Sequence, residues 1–96
     1  MRVKVLLFGG LARFAGASSF QLELEVNSNV EALLTELDRH TDTPVRPMLV
    51  RPEGVLSPSY AMMCNGSNIL LPEGLESQLS DGDEVAVVPR IAGGVA

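Results

Sequence analysis

Apolar and polar positions alternate along this chain in short runs separated by turn residues. From Val3 to Phe8 the period is two, with Val3, Val5 and Leu7 on one face and Lys4, Leu6 and Phe8 on the other. The lysine marks the second face as the wetter one, so Leu6 and Phe8 are expected to be apolar but accessible. Gly9-Gly10 breaks this strand. Leu11-Ala12-Arg13-Phe14-Ala15 then predicts a helical turn ended by Gly16. Phe20 to Val26 alternates without a lapse, predicting a strand with Phe20, Leu22, Leu24 and Val26 inward and Gln21, Glu23 and Glu25 outward.

The period then lengthens. Val30, Leu33, Leu34 and Leu37 recur at i, i+3, i+4 and i+7, which is one face of a helix. Ser28 is expected to cap it, with Glu31 completing a capping box, and the helix should end near His40-Thr41. Residues 43–59 are rich in Pro, Arg and Gly and predict a loop with one helical turn around Val45, Met48, Leu49 and Val50. Tyr60 to Cys64 reads as a short strand closed by Asn65-Gly66, a type I′ hairpin signal, with Asn68 to Leu71 returning. Leu75 and Leu79 anchor the connector that follows. Ser80-Asp81-Gly82-Asp83 turns into a last strand, Glu84 to Val88.

The order β-β-α-β-β-β predicts an α+β fold: a mixed sheet of four to five strands with one main helix packed across it. Placing the last strand beside the first makes that pair parallel and requires a long crossover, which the intervening residues provide. This is the β-grasp, or ubiquitin-like, architecture, expected over residues 1–90 with a flexible tail at 91–96.

Composition narrows the function. Ninety-six residues make one small domain, and 46% hydrophobic content without Trp implies an aliphatic core. A net charge of −5 with scattered basic residues argues against a nucleic-acid partner, because phosphate neutralisation needs clustered cations. The lone Cys64 excludes an intrachain disulfide and any multi-cysteine metal or iron–sulfur site. No apolar run approaches the roughly 18 residues of a membrane span. The opening residues do not form a signal peptide, so the cytoplasm is the expected compartment.

No catalytic constellation emerges. His40, the only histidine, falls at the predicted helix end, where a cation complements the helix dipole. Cys64 reads as a packed thiol. Asp81, Asp83 and Glu84 surround Gly82 but lack the further ligands of a calcium loop. Gly9-Gly10 is followed by no phosphate-binding signature. Neither catalytic residues nor a metal site are expected.

The C-terminal stretch stands apart: a β-branched strand leads through Pro89-Arg90-Ile91-Ala92 into Gly93-Gly94, with Val95-Ala96 beyond. Such a tail buries nothing, and its glycines cost backbone entropy. Pro89, lacking an N–H, is expected to stop the ladder and stiffen the exit. Without Cβ atoms, Gly93-Gly94 suits a narrow channel that brings a carboxylate to a nucleotide phosphate. Ile91 and Ala92 give it an extended approach.

These stretches resemble the MoaD/ThiS-like sulfur-carrier family, represented by the small subunit of molybdopterin synthase and the thiamine-pathway sulfur carrier. The resemblance rests on Val3–Phe8 with Leu11–Gly16, on Leu79-Ser80-Asp81-Gly82-Asp83-Glu84-Val85-Ala86-Val87-Val88-Pro89, and on Ile91-Ala92-Gly93-Gly94. It implies that an E1-like adenylyltransferase uses Mg-ATP to activate the carboxylate of Gly94. A persulfide sulfur donor then converts it to a thiocarboxylate that supplies sulfur to a metabolite. The resemblance also implies that the chain itself binds no permanent cofactor and is not an enzyme. The family usually ends at the second glycine, so a peptidase is expected to remove Val95 and Ala96.

Among acceptors the ending favours molybdopterin, with the large subunit of molybdopterin synthase as partner, although the long stretch 41–59 departs from the minimal pattern. Thiamine thiazole, cysteine synthesis and tRNA thiolation stay open. So do a ubiquitin-like modifier joined to lysine through Gly94, and a plain interaction domain with an idle diglycine. If the first and last strands are neighbours, Phe8, Ala86 and Val88 form an exposed docking patch for the adenylating partner. The competing expectation is that the loop 9–16 covers Phe8.

Overall fold

Val3, Val5 and Leu7 share one face of strand β1 (Arg2–Leu7) and are at most 2% exposed. Their burial sets the inner face of a five-stranded sheet in a computed structural model that describes residues 1–68 and 74–90. Strand order is β2-β1-β5-β3-β4, with β2 at Ser19–Glu23, β3 at Tyr60–Cys64, β4 at Ser67–Asn68 and β5 at Glu84–Pro89. β1 and β2 are antiparallel, with Val3 opposite Leu22 and Val5 opposite Phe20. β1 and β5 are parallel as expected, with Val5 beside Val85 and Leu7 beside Val87. β3 closes on β5 antiparallel and places Met62 next to Val87.

Helix α2 (Val30–Asp38) lays Val30, Leu33, Leu34 and Leu37 on this face, and all four are fully buried. Burying one such side chain contributes about 1.5–3 kcal/mol, so the aliphatic stripe is the main adhesive of the fold. The short helix α1 (Gly10–Ala15) ends at Gly16 in the left-handed conformation, φ 95°, whose N–H donates to the Ala12 carbonyl. Asn65 (φ 52°) and Gly66 (φ 89°) have the paired positive φ angles of a type I′ turn. Strand β4 starts one residue early, at Ser67. The remainder of the expected return strand, 69–71, lies outside the described residues.

Three local expectations are overturned. The cap of α2 is Asn29, whose Oδ1 accepts from the Ala32 N–H at 2.9 Å, and Ser28 instead receives the Leu79 N–H on its carbonyl. Glu31 is therefore no capping-box partner. Its carboxylate holds Arg46 bidentately, with both N···O distances 2.6 Å, and these bonds lower its pKa against the opposing effect of burial. That pair, with Asp38 accepting from the N–H groups of Val45 and Arg46, seats helix α3 (Arg46–Leu49) against α2. Val26 is the second correction. It is 75% exposed, because β2 ends at Glu23 and the chain turns through Asn27 at φ 72°. The third concerns Pro89 and belongs with the site below.

Leu75, in the 3₁₀ turn Gly74–Glu76, and Leu79 anchor the connector to β5 as expected. Val30 N–H donates to the Ser77 carbonyl, tying that connector to the start of α2. Among the described residues no helix is long and apolar enough to cross a membrane.

Candidate functional site

Because side chains alternate across a strand, burying Val3, Val5, Val85 and Val87 turns their neighbours outward. On this outer face Leu6 lies beside Ala86 and Ala86 beside Met63; one rung further on, Val88 lies beside Ala61. All five are half-buried, and Phe8, just beyond β1, is 45% exposed. The Phe8 N–H donates to the Val87 carbonyl at 3.2 Å, which continues the parallel ladder and holds Phe8 at the level of Val88. The loop 9–16 therefore does not cover Phe8. The predicted trio Phe8, Ala86 and Val88 is brought together, and Leu6, Ala61 and Met63 extend it into one apolar area. Alternation around buried Met62 already points Ala61 and Met63 outward, but only the antiparallel β3–β5 pairing puts them next to Ala86 and Val88.

The other half of the same face is polar. Gln21, Lys4 and Glu84 line up across β2, β1 and β5, and Arg2 is salt-bridged to Glu23 at 2.6 Å one rung below. A surface cavity of about 240 Å³ opens here, with Arg2, Lys4 and Gly82 in its lining. The face is thus divided along the strands, apolar towards the end of β5 and charged towards its start.

At the apolar end, Pro89 sits opposite Tyr60 inside β5, and the next N–H, from Arg90, donates to the Ser59 carbonyl at 2.8 Å. On the β3 side Pro89 does not stop the ladder, contrary to the sequence expectation, whereas on the β1 side the pairing goes no further than the Phe8 N–H on the Val87 carbonyl. In the antiparallel β3–β5 pair every second residue turns its N–H away from the partner strand, so the missing donor costs that ladder nothing. Gly9 packs on the proline's other side: a Cβ at Gly9 would come 3.0 Å from Pro89 Cγ. The exit of the chain is thereby gripped by β3 and by the turn after β1. Ile91, Ala92, Gly93, Gly94, Val95 and Ala96 lie outside the described residues.

The remaining candidates have structural partners. Burial, helped by the nearby Asp83 carboxylate, pushes the Cys64 thiol up to about 11, so almost no thiolate exists at neutral pH. Asp83 accepts from the Ser80 N–H at 2.8 Å and from Asn65 Nδ2 at 2.9 Å. Its pKa is lowered even though burial alone would raise it; these hydrogen bonds prevail. Asn65 in turn accepts from the Glu84 N–H, so the acidic turn serves to start β5. His40 pairs with Glu36 one helical turn back, at 3.0 Å. No group of three or more His, Cys, Asp or Glu among the described residues is arranged to hold a metal.

The five-stranded mixed sheet with α2 across it is the ubiquitin-like β-grasp. The ThiS family model matches residues 5–94, nearly the whole chain. The chain belongs to the ThiS family. This ThiS-family chain is 38% identical over 81 residues to a protein of Archaeoglobus fulgidus described as a sulfur carrier, covering 81% of this chain and 91% of that one. Among solved structures it resembles small archaeal modifier protein 1 of Methanosarcina acetivorans, with 30% identity and a TM-score of 0.76 over 97% of this chain and 96% of that one. The corresponding protein of Haloferax volcanii superposes with a TM-score of 0.81 at 22% identity, covering 98% of this chain and 100% of that one, and so speaks for the fold. Sulfur carriers and ubiquitin-like modifiers are thus the relatives of this ThiS-family fold.

Proposed function

We propose that this protein is a sulfur carrier that works through Gly94 once a peptidase has removed Val95 and Ala96. An E1-like adenylyltransferase docks on the outer face over Phe8, Leu6, Ala86 and Val88 and takes up Ile91, Ala92, Gly93 and Gly94. The observation that carries this reading is the position of the apolar area. It adjoins the end of β5, where the last described rung, Arg90 to Ser59, starts the tail from a fixed point. A partner gripping that area receives the tail with its origin already set.

In the reaction, a Gly94 carboxylate oxygen attacks the α-phosphorus of Mg-ATP held by the partner, and pyrophosphate leaves. The terminal sulfur of a donor persulfide then attacks the acyl carbon, and AMP departs with the electrons of the broken C–O bond. A thiol cleaves the resulting acyl disulfide, releasing the thiocarboxylate and leaving a disulfide on the donor side. Every catalytic group and the Mg-ATP belong to the partners. Molybdopterin formation, with the large subunit of molybdopterin synthase, is the favoured destination of the sulfur.

The test is intact-mass measurement of a chain ending at Gly94 after incubation with the adenylyltransferase, Mg-ATP and a persulfide donor. Exchange of one oxygen for sulfur supports the reading; an unchanged mass despite an active partner refutes it. Intact mass of the protein from its native cell tests the trimming, which fails if no form ends at Gly94. The likeness to a small archaeal modifier protein favours a second reading, in which Gly94 is joined to lysines of other proteins. Stable conjugates in native extracts, without a thiocarboxylate form, would establish that one.

A further inference from the structure

Strand β2 forms one edge of the sheet and pairs only with β1. Met1 and Leu24 exchange backbone hydrogen bonds of 2.6 and 2.8 Å, and the Leu7 N–H donates to the Ser18 carbonyl. In an antiparallel ladder such pairs alternate, so Phe20 and Leu22 spend their backbone groups on β1. Ser19, Gln21 and Glu23 therefore turn N–H and C=O away from it, and among the described residues no hydrogen bond takes them. All three side chains are exposed.

A row of unpaired backbone groups is a template for another strand, and edges are ordinarily blunted by lysine, proline or an inward-pointing charge. None of these devices is present in β2, Ser-Phe-Gln-Leu-Glu. Its one charge, Glu23, is at the end of the strand and is already paired with Arg2 at 2.6 Å.

We propose that β2 is a self-association edge, on which β2 of a second copy of this chain pairs antiparallel with Gln21 on the two-fold axis. Gln21 then meets Gln21, and Ser19 meets Glu23 of the second copy. All three outward rungs are joined, whereas a slip of one residue either way joins only two within Ser19–Glu23. Centring the pair on Glu23 instead would set like charges face to face. The edge is thus complementary to itself in hydrogen bonding and in charge, which singles out a second copy as its occupant. On the inner face the same pairing lays half-buried Phe20 beside Leu22 of the second copy and covers apolar surface that one chain leaves open.

The association is weak. A five-residue edge falls short of the roughly 1,200 Å² that stable dimers bury, and two chains of net charge −5 repel, so the dissociation constant is expected at about 0.1–1 mM. The two-fold axis stands perpendicular to the sheet and keeps both outer faces on one side. The apolar areas around Ala86 and Val88 stay open, and the dimer offers two of them on one surface.

The test uses the full chain alone. Sedimentation equilibrium at about 0.05 and 2 mM should show dimer growing with concentration. Over that range the exchange of the Ser19, Gln21 and Glu23 amides with water should slow about two- to fourfold, while the Glu53 amide in the exposed turn stays unchanged. In a mixture of isotope-labelled and unlabelled chains, an intermolecular Overhauser effect between the α-protons of Phe20 and Leu22 is expected. Ser19→Lys, facing Glu23 of the second copy, should tighten the dimer at least threefold, and Ser19→Glu should weaken it by as much. Val55→Lys makes the same change in net charge on an exposed residue of the 50–56 bridge and should have less effect than Ser19→Lys. A monomer at about 2 mM, slowed exchange at other amides, α-proton contacts of a different pairing, or equal effects of Ser19→Lys and Val55→Lys would each overturn the proposal.

Discussion

Gly9 and Pro89, eighty residues apart in sequence, are in contact where the chain leaves the sheet. Gly9 has φ 65° and ψ −142°, a conformation almost confined to glycine, and a Cβ there would approach Pro89 Cγ to 3.0 Å. Backbone strain and close approach therefore demand the same residue. Gly9→Ala is expected to lower unfolding free energy by about 1–3 kcal/mol, read from urea denaturation. Because the displaced atom is the proline that starts the tail, the variant should also adenylate more slowly than a surface variant of equal stability. Equal rates would show that the grip on Pro89 does not matter to the tail.

The outer face supplies a sharper contrast. Val88→Asp places a charge in the half-buried apolar area without touching the inner face, whereas Val87 beside it is fully buried. Adenylation should fall by about tenfold or more, the loss of roughly 1.4 kcal/mol or more of docking energy, with an unchanged thermal midpoint. Val26→Asp, at a 75% exposed turn position away from this face, is the matched control and should leave adenylation intact. If both variants behave alike, the apolar area is not where the partner docks.

Asn29 and Ser28 make a local test of the capping geometry. Asn29→Ala removes the acceptor of the Ala32 N–H and should cost about 1 kcal/mol. Ser28→Ala removes a hydroxyl from a residue tied in by its backbone, and is expected to stay within about 0.5 kcal/mol of the parent. Chemical denaturation of the two variants checks both, and a reversed order would return the cap to Ser28.

Acid should weaken the fold through Asp83 and Glu31. Both carboxyls have folded pKa values below the ordinary one, Asp83 through bonds from Ser80 and Asn65, Glu31 through Arg46. The unfolded chain thus binds protons first as pH falls, so their stabilisation is complete above the unfolded values near 4 and is lost through the folded ones. Urea midpoints measured downward from about pH 5 should decline, and Asp83→Asn should flatten part of that decline. A slope that the substitution leaves unchanged would assign acid sensitivity elsewhere.

Cys64 offers a check on burial. With its thiol pushed up to about 11, alkylation by iodoacetamide should be slow at neutral pH and accelerate only as the pH climbs towards that value. Rapid labelling at neutral pH would mean that β3 opens readily.

The order of elements, the inner face of each strand and the stripe of α2 were legible because each depends on local periodicity. Period-two and helical patterns assign a side to the residues of β1, β2 and α2 before any partner is known. The errors fell where two local solutions compete. Ser28 and Asn29 are both good caps, and the choice followed from Ser28 being held by Leu79. Val26 continued an alternation that the backbone abandoned at Glu23, because Asn27 turns the chain. Pro89 was misread because its missing N–H matters only where the partner strand needs a donor.

The sequence by itself therefore determined the β-grasp order, the aliphatic core and the diglycine at Gly93-Gly94. Tertiary structure alone decided which outward residues become neighbours. Leu6, Ala86 and Met63 belong to three strands far apart in sequence, and their adjacency comes from hydrogen-bond register across β1, β5 and β3. The same register separates the apolar half of that face from the half that holds Lys4. Periodicity states the side on which a residue lies; only the pairing of distant backbone groups, driven by shared burial of the inner face under α2, states what lies next to it.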